Sequence, residues 1–313
     1  MRRVPQMRQR PVVHVLGSVH PSAIALLEHS ADVLTDADQF PSDCDAVIVR
    51  TRPIPRADME ACPNLRVIGK HGAGVDAIDV EAAAARGIVV ESTPGTNAGT
   101  VADLAIGFAL ALLRNIVPIT LALRDGRSVD PSLRVGWDLG ELEAGIVGFG
   151  ATGQAVARRL VDGFGTKTMA YSPRLADAPP VSGVIRADSL DTLLRHSRIV
   201  FLHLPLIPET RNVINADALA AMPEGSYLIN CARGGIVDED ALADALASGH
   251  LAGAASDVFA VEPPTPENPL LHQPSFLAMP HLGASTNGGL ERVGTEIVRK
   301  VLNHFESASR SRA

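Results

Sequence analysis

The chain has 313 residues, of which 46% are hydrophobic and 20% charged, and a formal charge of −7 at pH 7. That length suggests about two domains of about 150 residues each, and the apolar fraction excludes a largely disordered chain. The 27 Gly and 22 Pro follow no triplet period, which excludes collagen, and the acidic balance argues against a nucleic-acid face, which needs a basic surplus.

The N-terminal segment carries Arg2, Arg3, Arg8 and Arg10. The apolar run behind it is too short for a signal peptide, so it reads as a ragged start before a strand. Residues 12–16 (VVHVL), 46–50 (AVIVR), 65–69 (LRVIG) and 88–92 (IVVES) are short and β-branched, as buried strands are. Helical stretches lie between them at 22–31 and 79–87, the second opened by Asp79 as N-cap and closed by Gly87. Strands alternating with helices imply a parallel sheet covered on both faces.

Residues 97–116 read as one long helix, apolar on most of its circumference and therefore buried against another domain or a second subunit. Its most apolar run, Ala105 to Leu113, is nine residues long. A membrane span needs about 20, so no membrane partner is expected. The strand–helix rhythm restarts at 144–150 and continues through strands at 167–172, 198–204, 226–232 and 252–259. The runs between them, such as 241–249, read as helices, several with acidic or hydroxyl starts, such as Asp188–Ser189 and Asp238–Glu239–Asp240. A last helix covers 287 to 306, and residues 307–313 read as a frayed tail. The cysteines Cys44, Cys62 and Cys231 form no metal-finger spacing, and their odd number fits a reducing compartment.

Two groups of residues carry chemistry. Gly148, Gly150 and Gly153, with Ala151 and Thr152 between them, form a GxGxxG turn between a strand and a helix. Glycine there lets the backbone reach a pyrophosphate, and the helix start offers free N–H groups. An acidic residue about 20 positions on would bond the ribose hydroxyls of NAD. Ser172 and Arg174 stand in that region instead. Ser172 does not repel a 2′-phosphate, and Arg174 either pairs with one or is a solvated loop residue, so NAD or NADP is the expected cofactor, with NADP favoured. The second group is Arg233, Glu262 and His281, each following a strand and able to converge at one sheet edge. Gly72, Ala73 and Gly74 can present consecutive N–H groups to an anion. Arg50, Arg52 and Lys70 lie at strand ends beside them, either holding a second anionic group or standing as solvated charges.

Several motifs in one order resemble the D-isomer-specific 2-hydroxyacid dehydrogenases: HGAGVD (71–76), PGTNAGTVAD (94–103), GFGATG (148–153), HLPLIPETRNVIN (203–215), NCARGGIVDEDAL (230–242), GAASDVFAVEP (253–263), and NPLL with PHLGAST (268–286). The flavour is that of short 3-phosphoglycerate dehydrogenases and glyoxylate/hydroxypyruvate reductases. The resemblance implies an α/β fold of two Rossmann-like domains with a cleft between them. The nucleotide domain, 98–284, would be inserted into a discontinuous substrate domain of 1–97 and 285–313. The chain has no room for the C-terminal regulatory domain of some phosphoglycerate dehydrogenases, so serine feedback is not expected.

The same resemblance implies that His281 is the general acid in reduction, that Glu262 holds its imidazole, and that Arg233 binds the substrate carboxylate and polarises the carbonyl. Arg50, Ala73 and Gly74 would bind substrate. Thr100, His203, Leu204, Pro205, Cys231, Ala232 and Gly283 would line the cofactor, and Asp257 would accept from its carboxamide. Asp103 and Ser172 depart from relatives that have Glu and, among NAD users, Asp. The implied activity is interconversion of a 2-oxo and a D-2-hydroxy acid without metal, while the cysteine usage suggests a cytoplasmic protein and the apolar helix at 97–116 a homodimer. The alternatives are a cofactor-sensing, co-repressor-like binding protein and a phosphite or formate enzyme on the same scaffold.

Overall fold

Short aliphatic runs separated by capped helices close as parallel strands whose crossovers cover both faces of the sheet. In the computed structural model, which describes residues 10–35, 39–173, 175 and 181–310, this pattern yields two units. One is formed by Met1–Asn97 with Ser285–Ala313, the other by Ala98–Ala284.

The first unit runs β1 (Val12–Leu16), α1 (Pro21–Glu28), β2 (Asp32–Leu34), β3 (Ala46–Val49), α2 (Arg56–Ala61), β4 (Val67–Lys70), α3 (Val80–Ala85) and β5 (Val89–Glu91). Its strands are parallel, in the order β2-β1-β3-β4-β5. Alternate strand residues divide between two cores, as a period of two requires. Val13, Val15, Ala46, Ile48 and Val67 share one with Ala23 and Leu27 of α1. Leu16, Val47, Val49 and Ile68 share the other with Met59 of α2 and Ala82 and Ala83 of α3. Asp79 caps α3 as expected, its Oδ1 accepting from the Ala82 N–H at 2.8 Å.

The second unit runs α4 (Ala98–Leu113), α5 (Ile116–Arg124), β6 (Glu143–Val147), α6 (Ala151–Arg158), β7 (Lys167–Tyr171), β8 (Val184–Arg186), α7 (Leu190–His196), β9 (Ile199–Leu202), α8 (Ala216–Ala221), β10 (Ser226–Asn230), α9 (Glu239–Ala247), β11 (Leu251–Ser256) and β12 (Phe276–Ala278). These seven strands are parallel, in the order β12-β11-β10-β9-β6-β7-β8. This is the doubly wound Rossmann order extended by one strand, and its direction of winding reverses between β6 and β9. Ile146, Phe201 and Ile229 face α4 and α6, while Val147, Leu202 and Leu228 face α7, α8 and α9. The chain then returns to the first unit as α10 (Asn287–Arg310), where Ile297, Val298 and Val301 complete the core above α1. Gly69 of β4 lies under this helix, and a Cβ there would press on Val301 and Ile297.

Three expectations change. The helix read over 97–116 stops at Leu113, because Asn115 takes a left-handed φ of +50°, and α5 leaves at 60° to α4. The apolar circumference of α4 is buried by its own unit, through Ala102, Ala105, Ile106, Ala109 and Leu113. The exposed apolar side chains are instead Ile116, Val117, Leu121 and Leu123 of α5, with Val135 and Trp137 beyond it. The tail expected to fray from residue 307 is helical to Arg310. No single helix among the described residues is long and apolar enough to cross a membrane. Residues 1–9 lie outside the described residues.

Candidate active site

In an open parallel sheet, ligands bind outside the carboxyl ends of the strands, next to the point where the winding reverses. At that point β6 is followed by Gly148, whose φ of +92° is a conformation that favours glycine. A Cβ on Gly148 would run into the His203 carbonyl at the end of β9, and one on Gly153 would run into the Gly148 carbonyl. Gly150 has open space where a Cβ would sit, and it is the N-cap of α6, whose first turn contains no acidic residue. The turn is therefore tight on its inner side and open on its outer side. It joins free N–H groups to the positive end of the helix dipole, which suits a pyrophosphate. Ala151 and Thr152 form the exposed start of α6 and Gly153 its buried contact with the strand.

Ser172 directly follows β7, and Arg174 lies outside the described residues. His203, Leu204 and Pro205 follow β9. Both ring nitrogens of His203 are buried without a hydrogen-bond partner, and burial lowers its pKa to about 4, so the ring is neutral. Thr100 is buried in the first turn of α4. Cys231 and Ala232 are buried beyond β10, and burial drives the Cys231 thiol upward, which leaves it protonated and unreactive.

The charged group assembles at the neighbouring strand ends. Glu262 Oε2 and His281 Nδ1 are 2.7 Å apart, and the other carboxylate oxygen accepts from the Phe259 N–H at 3.1 Å. Burial would raise the Glu262 pKa and is the largest influence on it. The bonds from His281 and Phe259 and the charges of His281 and Arg233 together outweigh it, and the group sits below its ordinary range. With Nδ1 facing a carboxylate, Nε2 is the ring atom that can exchange a proton. Arg233 follows β10 by three residues and is placed by Asn230, whose Nδ2 donates to the Arg233 carbonyl at 3.1 Å while its Oδ1 accepts from the Ala232 N–H at 3.0 Å. Gly234 lets this turn lie directly against the Phe259–Ala260 backbone, where any Cβ would overlap.

Asp257, 3% exposed, sits beneath the His281 turn. Its Oδ1 accepts from the Leu282 N–H and its Oδ2 from the Gly283 N–H, both at 2.7 Å. A Cβ on Gly283 would press on the same carboxylate. Both residues thus have a structural duty besides the cofactor contact expected of them. The positioning duties of Asn230 and Asp257 were not visible in the sequence, where each reads as a strand end. Among the described residues no cluster of His, Cys, Asp or Glu could hold a metal ion.

In the first unit, Gly72 takes a φ of +140° two residues after β4, followed by Ala73 and Gly74. Arg50 Nη2 donates to Ser285 Oγ at 2.6 Å, and Lys70 Nζ donates to the Arg50 carbonyl. Arg52 is drawn into an ion pair with Asp58 at 3.0 Å. In the second unit, the Arg159–Asp103 pair, at 2.7 Å, ties the end of α6 to α4, which gives Asp103 a structural contact.

The sequence profile described as "D-isomer specific 2-hydroxyacid dehydrogenase, NAD binding domain" matches residues 106–283. A hydroxypyruvate reductase of Thermotoga maritima is 38% identical over 305 residues, covering 94% of this chain and 98% of that protein. A D-3-phosphoglycerate dehydrogenase of Mycobacterium bovis is 36% identical over 299 residues, covering 93% of this chain and 56% of that protein, so this chain spans little more than half of that relative. Among solved structures, the NADPH-dependent glyoxylate/hydroxypyruvate reductase of Sinorhizobium meliloti, in complex with NADP and malonate, superposes with a TM-score of 0.81. It is 30% identical, with 95% of this chain and 94% of that chain covered.

Proposed function

This chain belongs to the D-isomer specific 2-hydroxyacid dehydrogenase family, and we propose that it reduces hydroxypyruvate or glyoxylate to the corresponding D-2-hydroxy acid or glycolate. The observation that carries this reading is the 2.7 Å His281–Glu262 pair beside Arg233, built on the same sheet edge as the glycine turn. When bound, a nicotinamide cofactor supplies the hydride. Gly148, Gly150, Ala151, Thr152 and Gly153 would hold its pyrophosphate, Ser172 its ribose side, and Thr100, His203, Leu204, Pro205, Cys231, Ala232, Asp257 and Gly283 the remaining faces.

His281 Nε2 delivers a proton to the carbonyl oxygen in reduction and removes it in oxidation. Glu262 fixes the ring and stabilises its charged form. Arg233 binds the substrate carboxylate through its planar fork of donors. In the first unit, Ala73 and Gly74 are the proposed backbone contacts for an anion and Arg50 the proposed cation.

Hydroxypyruvate and glyoxylate are favoured over 3-phosphoglycerate for two reasons. The Thermotoga relative matches along 98% of its length, and Arg52, a candidate for holding a phosphate, is spent on Asp58. The absence of a carboxylate at Ser172 supports a preference for NADPH. Three free cysteines support a reducing, cytoplasmic setting. The several exposed apolar side chains of α5 support a homodimer, since exposed apolar surface is a feature of association faces. The test is oxidation of NADPH and of NADH against a panel of 2-oxo acids, with light scattering for oligomeric state. Turnover of hydroxypyruvate or glyoxylate with a higher kcat/KM for NADPH supports the reading. A protein that binds cofactor but turns over none of the panel is the co-repressor-like alternative, and a monodisperse monomer removes the dimer.

A further inference from the structure

Residues 260–267 carry Glu262 but bury almost nothing. Most of the segment is exposed, and Val261 is 65% exposed. Packing therefore cannot hold this segment in one place, and a carboxylate on it would wander unless polar contacts fixed the backbone. One side chain supplies those contacts at both ends. Glu239 Oε1 accepts from the Ala260 N–H at 2.6 Å, and Glu239 Oε2 accepts from Asn268 Nδ2 at 2.7 Å.

Glu239 is suited to be an anchor. It is the first residue of α9, whose start is capped by Asp238 and whose inner face is buried through Leu242, Ala243 and Leu246. Asn268 is also held, its Oδ1 accepting from the Leu270 N–H at 3.0 Å at the start of the next helical turn. The Glu239 side chain borders a small cavity lined by Asn230, Ser256, Val258 and Leu270, and its two hydrogen bonds fix both of its carboxylate oxygens.

We propose that Glu239 is a positioning residue for the His281–Glu262 pair. The path is short. Glu239 holds the Ala260 N–H; the adjoining Phe259 N–H donates to Glu262 Oε1; Glu262 Oε2 meets His281 Nδ1. Releasing Ala260 and Asn268 frees the segment at both ends, and Glu262 loses its fixed distance to the imidazole. The inference rests on the dehydrogenase reading for its kinetics but not for its geometry.

The test compares wild type with Glu239→Gln, Glu239→Ala and Asn268→Ala. An amide at 239 can accept only one of the two donors, and alanine neither. Expected for Glu239→Ala is a fall in kcat of about 10- to 100-fold, the scale of a misplaced catalytic group, with KM for NADPH within about twofold, a bound that fits a group outside the cofactor's contacts. Glu239→Gln and Asn268→Ala fall between that variant and wild type. The reductive pH–rate profile of each variant moves toward lower pH, because an imidazolium that loses its fixed counter-charge is less favoured. A merely structural glutamate would lower the melting temperature and leave that profile in place.

The titration of the His281 ring, followed by NMR in wild type and Glu239→Gln without substrate, is the independent arm. Displacement to lower pH in the variant supports the proposal even if no 2-oxo acid is turned over, which would sink the dehydrogenase reading alone. A ring titration and a kcat unchanged in every folded variant overturn it. Asn268→Ala keeps the test decisive if the Glu239 variants do not fold.

Discussion

Asp257 holds the His281–Gly283 turn through three hydrogen bonds. Its main-chain carbonyl accepts the His281 N–H at 2.7 Å, and its carboxylate accepts the next two N–H groups, of Leu282 and Gly283, also at 2.7 Å. His281 itself has a φ of +58°, a conformation that an L-residue rarely keeps without support. The grip supplies that support, and it aims the imidazole at Glu262. Burial raises the Asp257 pKa more than the two N–H bonds and the charge of His281 lower it.

Replacing Asp257 by Asn tests this grip. An amide presents one acceptor and one donor, so one of the two N–H groups is left facing an N–H. Expected are a loss of about 1–3 kcal/mol in unfolding free energy, the cost of a buried unsatisfied donor, and a fall in kcat of about 10- to 100-fold from misplacement of His281. Urea unfolding and steady-state kinetics measure both. Wild-type kcat together with lost stability would show that the turn is held for folding alone.

Glu262 has the opposite electrostatic sign. Its pKa is depressed, so its contribution to stability is present above the unfolded value of about 4.3 and disappears as pH falls through the lower folded value. Glu262→Gln keeps the shape and removes the charge. The variant should show a flatter stability profile on the acid side. Its reductive kcat/KM should be lower, with the profile moved toward acid, because the imidazolium has lost its partner. A profile that stays in place would mean that Glu262 orients the ring without stabilising its charge. His281→Ala should lower kcat by about 10²- to 10⁴-fold, the scale of a general acid, while losing no more than about 1 kcal/mol of stability, the worth of an exposed ion pair, because the ring is half-exposed.

The sequence made the core strands legible to within about three residues at either end, because both faces of β1, β3, β6 and β9 are apolar and their runs are continuous. It did not reveal β2 or β8. These are three-residue edge strands, largely exposed, and no buried stripe marks them. The break between α4 and α5 was also hidden, since Asn115 sits in an apolar run and only its backbone angle ends the helix. At the site, Arg233, Glu262 and His281 could be picked out by residue type and strand-end position. Glu239, Asn230 and the carboxylate grip of Asp257 could not. Their work is done through backbone N–H and C=O groups, which carry no sequence identity.

Gly153 tests the glycine turn. A methyl group there would run into the Gly148 carbonyl, which is main chain and cannot swing away. Gly153→Ala must push α6 off β6, and overpacking of this kind costs about 1–3 kcal/mol. The displaced helix start should raise KM for the cofactor more than it changes KM for the 2-oxo acid. Thermal unfolding and separate titrations of the two substrates give the comparison. Equal changes in both KM values would place the defect in the fold as a whole.

His203 predicts how the second unit responds to mild acid. An imidazole in the unfolded chain takes up a proton near pH 6.5, whereas the buried ring of His203 resists until about 4. A lowered folded pKa means that the unfolded state binds more protons as pH falls between these values. The stability contribution is therefore intact above about pH 6.5 and is lost progressively down to about pH 4, by an amount on the order of 3 kcal/mol. Neither ring nitrogen has a hydrogen-bond partner, so His203→Leu removes a buried polar group without stranding another one, a change that is often neutral or stabilising. In urea unfolding without cofactor, wild type should lose stability between pH 7 and pH 5, and His203→Leu should lose less. Parallel profiles for the two proteins would show that the ring takes up protons equally in the folded and unfolded states, and that it is not the buried neutral group described here.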